Sequence, residues 1–457
     1  MIVRGFMQNH QAFLAGADVV QVAAAALEAA EELNARNPVF SVLDPVGALR
    51  AAEASQRRYA AGSPLGPLDG AVVSVKDVLL TRGLPTLRGS RAVALNQVWD
   101  VDAPAVARLR NAGAVILGKT TTAELGWKGL TDSRLYGATS NPYDATCTSG
   151  GSSGGSAVAV QQGIGCMSLG TDGGGSVRIP AAFCGVVGFK PTYGRLPLYP
   201  LGPIGRLVHV GPLTRSVSDA RLTYQALVGP SPIDATSLPR DTSDTSALSL
   251  AGLRCAVLCS SGCGVPVEPS VNRAVEQVVR AVTSAGVEVE ERQLLSADLE
   301  DVYWTLWSVG HAAMVAQVGY NLSALDDPGL LGLIEEGQRV GGVQFLVAQV
   351  RAAEFASEIS NVMSDVDFLL TPTVPILPFR LGADVPPGGD LKRWSQWTPF
   401  TYPFNLSEQP AITIPVTGTG SPLPVGVQLV GRRYDDVALL GWAEQLETLL
   451  APPSGDA

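Results

Sequence analysis

The sequence predicts an α/β layered fold. Two observations carry that prediction. Short β-branched runs alternate with helical periodicities along the whole chain. Hydrophobic residues make up 46% of the 457 positions and charged residues only 16%, which suits one large compact core. VVQVAAAALEAAEEL, from Val19 to Leu33, is rich in Ala and Glu and reads as a helix, and a second follows from Pro45 to about Ala61. GAVVSVKD is β-branched and reads as a buried strand ending in Lys76 and Asp77. APAVARLRNAG has Pro104 near its start and Gly113 at its end, as a helix should. AVILGKT is the next strand, SAVAVQQG a short helix, and CMSLGTDGGGSVRIP a strand running into a glycine-rich loop. SVSDARLTYQALVG is a helix opened by Ser216 or Ser218. The polar, unpatterned stretch from Gly229 to Leu250 is the best candidate for an internal linker. RCAVL, SVNRAVEQVVRAVTSAG and VEVEER read as strand, helix, strand. VDFLLTP, AITIP and VGVQLVG are late strands, and DDVALLGWAEQLETLL closes the chain as a helix.

Composition excludes several classes. The net charge is -10 and no basic run occurs, which argues against nucleic acid or an anionic membrane as partner. No apolar run reaches the roughly 18 residues that a membrane span needs, and the N-terminus lacks a signal peptide's apolar stretch. The expectation is a cytoplasmic protein. Six cysteines are no disulfide framework. Cys255, Cys259 and Cys263 come near iron–sulfur spacings, but a strand and a loop explain them better. The three histidines, His10, His209 and His311, are too scattered for a histidine-rich metal site.

One stretch demands an explanation: CTSGGSSGGS, from Cys147 to Ser156. A flexible linker fits its composition, but leaves the nearby TDGGGS unexplained. A phosphate site is suggested by GAVILGKT, which matches the P-loop pattern. There a helix precedes Gly113, and the intervening Ala, Val, Ile and Leu want a sheet. The third reading is a catalytic loop. GGSSG also matches the nucleophile elbow of α/β-hydrolases, yet no apolar strand precedes it and only His209 and His311 follow. The stronger version pairs both Gly/Ser loops with Lys76. A serine hydroxyl needs a base. Lysine serves only when neutral, so its ammonium must fall from about 10.4 toward neutrality. Burial at the end of GAVVSVKD supplies that push, and alternation turns Asp77 to the other face.

These residues resemble the amidase signature family. GAVVSVKD resembles its lysine strand. CTSGGSSGGSAVAV and SLGTDGGGSVRIPAAFCGVVGFKPTYGR resemble its glycine/serine signature. GPLTRSVSDA, DFLLTPTVP, FNLSEQPAITIP and LPVGVQLVGRRYDDVALL resemble later blocks, so the likeness runs from about Val19 to Leu450. It implies a single domain over 1–457, a three-layer α/β/α fold with a large mixed central sheet. Within it, 1–65 forms N-terminal helices, 66–228 the signature core, 229–360 a variable, mostly helical insertion and 361–457 the rest of the core. It further implies Lys76 as base, Ser152 as bridging serine and Ser176 as nucleophile, with a cis peptide before Ser152. Backbone N–H groups of Gly173, Gly174, Gly175 and Ser176 would cradle the oxyanion. Asp172 and Arg178 would pair to hold that loop, and Ser153 would hydrogen-bond it. Gly126 would line the acyl pocket. Trp127, Trp304 and Trp307 are candidates to wall it, although aromatics are commonly plain core.

The implied reaction is hydrolysis of an amide or related C–N acyl bond through a Ser176 acyl-enzyme, releasing ammonia or an amine. No metal or cofactor is implied. The partner is a small amide, and a homodimer is common among such proteins. The chain departs from the family's usual Pro at Ser149, Thr or Ile at Gly173, and HGIP where it has DGAV; Gly173 raises the expectation of a looser oxyanion loop. Two alternatives stay open. One is the glutaminase subunit of a tRNA-dependent amidotransferase, which typically has Gln where this chain has Ile179. The other is a degenerate binding protein on the same scaffold.

Overall fold

A computed structural model describes residues 5–242, 249–258, 265–293 and 299–451. The strands in chain order are β1 (Phe40–Leu43), β2 (Val72–Lys76), β3 (Val115–Thr120), β4 (Asp132–Ser133), β5 (Gly137–Ala138) and β6 (Met167–Asp172). They continue as β7 (Val187–Lys190), β8 (His209–Thr214), β9 (Arg254–Val257), β10 (Glu288–Glu291), β11 (Phe368–Pro372), β12 (Ala411–Val416) and β13 (Val425–Gly431). All but the β4–β5 hairpin join one 11-stranded sheet, ordered β1-β3-β2-β6-β8-β7-β12-β13-β11-β9-β10. The sheet is mixed. β3, β2 and β6 run parallel, as do β11, β9 and β10, and antiparallel pairs connect the two groups.

Alternation along the strands splits the core in two. Phe368, Leu370, Val427, Leu429, Ile412 and Cys255 join one hydrophobic cluster. Their chain neighbours Leu369, Val430, Ala411 and Ala256 join another. Successive strand residues face opposite sides, so the clusters lie on opposite faces of the sheet and helices cover both. This is the expected three-layer α/β/α arrangement. Helix starts follow local chemistry. Asp18 accepts hydrogen bonds from the N–H groups of Val20 and Gln21 to open Val19–Arg36. Asp44 caps Pro45–Ala60, with Pro45 in the first turn. Of the two serines proposed to open Val217–Leu227, Ser216 is the cap.

The linker reading needs correction. Residues 229–242 are folded onto the body: Arg108 donates to the carbonyls of Leu227, Gly229 and Pro230, and Asp234 accepts from the Leu198 N–H at 2.8 Å. Fixed polar partners, not solvent, satisfy this unpatterned segment. Residues 243–248 of that stretch lie outside the described residues, as do Cys259 and Cys263. Region 229–360 supplies helices Pro269–Ser284, Leu299–Val318, Pro328–Arg339 and Gly342–Val362, and also β9 and β10 at the sheet's edge. No described helix is long and apolar enough to cross a membrane.

Candidate active site

β2 and β6 are parallel neighbours, with Val75 opposite Leu169, so their C-terminal ends emerge together. That edge is where open α/β sheets bind ligands. Lys76 closes β2. Ser176 lies in the turn between β6 and the helix Arg178–Cys184. Ser152 precedes the helix Gly154–Gln161, and the Gly151–Ser152 peptide is cis. The three side chains are buried and form a chain of contacts. Lys76 Nζ is 2.8 Å from Ser152 Oγ, which is 3.1 Å from Ser176 Oγ. Full burial lowers the Lys76 ammonium to about 7, against the opposing pull of Asp172. Asp77 turns away, 3.4 Å from Lys119.

Asp172 and Arg178 form a fully buried bidentate pair, with Nε–Oδ2 and Nη2–Oδ1 both 2.9 Å. Burial by itself would raise the Asp172 carboxyl; the Arg178 guanidinium overrides it and holds the group well below the usual carboxylate range. The same carboxylate accepts the N–H groups of Gly175 at 2.7 Å and Val177 at 3.1 Å. This corrects the expected oxyanion set: the Gly175 amide is committed to Asp172. The N–H groups of Gly173, Gly174 and Ser176 have no partner among the described residues. Ser153 ties the two loops, its N–H donating to Ser176 O at 3.1 Å and its Oγ to Thr171 O at 3.2 Å.

Gly173 and Gly174 are glycine for want of space. A Cβ at 173 would sit 2.7 Å from the Trp307 ring, and one at 174 only 2.1 Å from the Tyr303 hydroxyl. Trp307 therefore fills the volume that a larger residue at 173 would take. The turn is also tied at Gly174, whose carbonyl accepts from Thr401 Oγ1 at 2.7 Å. These contacts contradict the looser loop expected from Gly173.

Ser176, Ser152, Gly126, Thr171 and Gly173 line a cavity of about 110 Å³, with Trp307 in its wall. The Gly126 carbonyl lies 3.3 Å from Ser152 Oγ. Trp127 and Trp304 are absent from the lining. The Trp127 ring packs against Gly329, and the Trp304 indole donates to Glu336 at 2.6 Å. A larger groove of about 680 Å³ adjoins at Ile204 and Gly205, but its acid Glu408 is already paired with Arg206 and Arg433.

Four contributors were not singled out from sequence. Thr171 contacts Lys76 Nζ through Oγ1 at 3.1 Å. Asn405 donates to the Asp172 carboxylate at 2.9 Å; Gln428 accepts from Arg178 at 2.7 Å; Thr401 holds Gly174. Gln428 is the one polar residue in VGVQLVG, a signal that marks it; Asn405 sits in FNLSEQ among other polar residues, where nothing marks it. The decoys resolve as well. Lys119 is buried in β3 beside Asp77 and Thr86, where a phosphate has no access. Neither His209 nor His311 hydrogen-bonds Ser152 or Ser176; both lie against backbone carbonyls.

Known proteins resemble this chain in sequence and in fold. The Amidase family pattern matches residues 21–440. The acylamidase of Rhodococcus erythropolis is 34% identical over 431 residues, covering 92% of this chain and 90% of its own. A glutamyl-tRNA(Gln) amidotransferase subunit of Geobacter sp. (strain M21) is 31% identical over 461 residues, covering 94% and 93%. The solved structure of 6-aminohexanoate cyclic dimer hydrolase with its substrate has a TM-score of 0.88 at 27% identity, over 98% of this chain and 97% of that one. A bacterial aryl acylamidase of the amidase signature family has a TM-score of 0.83 at 27% identity, over 93% and 92%. The chain belongs to the amidase signature family, hydrolases of C–N bonds.

Proposed function

We propose that the protein hydrolyses a carboxylic amide through a Ser176 acyl-enzyme. Neutral Lys76 draws the proton of Ser152, Ser152 draws that of Ser176, and Ser176 Oγ attacks the carbonyl. The N–H groups of Gly173, Gly174 and Ser176 receive the oxyanion, where each such donor contributes roughly 2.7–4 kcal/mol. The tetrahedral intermediate collapses as Ser152 returns a proton to the leaving amine. Water, activated by the same relay, then clears the acyl group. The observation that carries this reading is the buried chain of 2.8 and 3.1 Å contacts from Lys76 through Ser152 to Ser176. A small aryl amide such as 4-nitroacetanilide tests it, with release of 4-nitroaniline expected when protein and substrate alone are present.

A glutaminase reading draws support from the relationship to the glutamyl-tRNA(Gln) amidotransferase protein of Geobacter. It predicts ammonia from glutamine, dependence on a partner protein, and inertness toward the anilide. Ile179, buried beside the nucleophile turn, favours the simpler amidase.

A further inference from the structure

Of the side chains lining the cavity over Ser176, only that of Arg88 is charged, and none is a carboxylate. Its guanidinium has no ion pair or hydrogen bond among the described residues. Arg178, Arg58 and Arg206 each have a carboxylate partner. Most of the other lining side chains are apolar, among them Val78, Leu125, Leu198, Ile204, Val208 and Trp307.

The backbone holds Arg88 there. Its φ is 53°, in the left-handed region that long side chains seldom adopt. Three hydrogen bonds fix that conformation. The N–H groups of Leu87 and Gly89 donate to the Asp77 carboxylate at 3.2 and 3.4 Å, and Leu125 N–H donates to Arg88 O at 2.7 Å. Asp77 is itself held by Lys119. The buried Lys119–Asp77 pair, unused by the proton relay, thus positions the cavity's one cation.

We infer that Arg88 is a specificity-determining residue for amide substrates that carry a carboxylate, which docks on the guanidinium while the scissile carbonyl meets Ser176. The inference rests on the amidase reading and names its substrate class. A planar guanidinium matches a carboxylate bidentately, and apolar walls strengthen the pair relative to water. The carboxylate belongs to either the acyl or the amine half of the substrate, and matched pairs separate the two.

Succinic acid mono-4-nitroanilide against butyryl-4-nitroanilide places the charge on the acyl half; 4-butyramidobenzoate against butyranilide places it on the amine half. The wild type is expected to favour the charged member of one pair in kcat/KM by on the order of ten- to a hundredfold. Arg88→Met brings that ratio to near unity, Arg88→Lys retains part of it, and Arg88→Glu inverts it. Near-unity ratios in both pairs for the wild type, or a ratio unchanged in Arg88→Met, overturn the inference. Calorimetric binding of the same compounds to Ser176→Ala protein gives a readout free of turnover. Tighter binding of a charged member without hydrolysis of any compound sinks the amidase reading and keeps the carboxylate site. Equal binding of charged and neutral members sinks the site whatever the turnover.

Discussion

Ser152 Oγ has three polar neighbours: Lys76 Nζ, Ser176 Oγ and the Gly126 carbonyl. The protonation of Lys76 decides which way the serine's proton points. A neutral amine has two N–H donors and one lone pair. Thr171 offers two acceptors to Nζ, its Oγ1 at 3.1 Å and its carbonyl at 3.4 Å, which leaves the lone pair for Ser152. Thr171 is therefore a positioning residue. Thr171→Val keeps the shape and deletes one acceptor. We expect kcat to fall about tenfold with little change in KM, the value of one hydrogen bond; steady-state kinetics checks this, and a change in KM alone would contradict it. Ser176→Ala should lose at least about 10³-fold in kcat, since the nucleophile is gone while the binding site stays. Intact-mass spectra of quenched reactions should show an acyl adduct in the wild type and none in the variant.

The unit that presents the nucleophile is β6, its turn and the short helix from Arg178 to Cys184. Asp172 and Arg178 bracket the turn, and between them the Gly175 and Val177 N–H groups and the Gly174 carbonyl are tied down. Such a buried network is costly to half-dismantle. Arg178→Met leaves the Asp172 carboxylate buried without its cation. The expected loss is about 3–5 kcal/mol, read as a lower urea midpoint at unchanged m-value. A variant of wild-type stability would show that the pair is not what holds the turn. The sequence displayed Asp172, Ser176 and Arg178 because acid, serine, base and glycines crowd into one short segment, and Ser152 because a second Gly/Ser run holds it. It did not display Thr401, Asn405 or Gln428 as their partners. Those residues lie more than 200 positions away, and only the order of strands brings them near. Trp127 was misplaced for a related reason: it is next to Gly126 in sequence, but the left-handed backbone at Leu125 and Gly126 carries the following ring out of the cavity.

Across the whole molecule, periodicity made most strands and helices legible, and with them the α/β class. Strand order was not legible from alternation, since β6, β8, β7, β12, β13 and β11 each run antiparallel to the next between two parallel groups. The ordered state of 229–242 was hidden because its contacts are polar and long-range. The fold's electrostatic signature is its buried lysines. Burial brings both Lys76 and Lys190 to about 7. Below pH 7 both states carry these protons, and the folded state bears the buried charges. As pH rises toward the unfolded value of about 10.5, only the unfolded chain keeps them, so stability increases. We expect Tm to rise from pH 7 to about 8, below the unfolded thiol value of about 8.5. Lys76→Met should remove about half of that rise and leave the share of Lys190, and parallel wild-type and variant curves would contradict the assignment. The same proton is most directly visible in kinetics. The measurement that bears hardest on the relay is the pH dependence of Ser176 acylation in the wild type and in Lys76→Ala. The account predicts a wild-type rate that climbs tenfold per pH unit to a plateau above about pH 7, and a slow variant in which that ionisation is gone. An ionisation near pH 7 that survives the loss of Lys76, or acylation at the wild-type rate without it, would contradict the account.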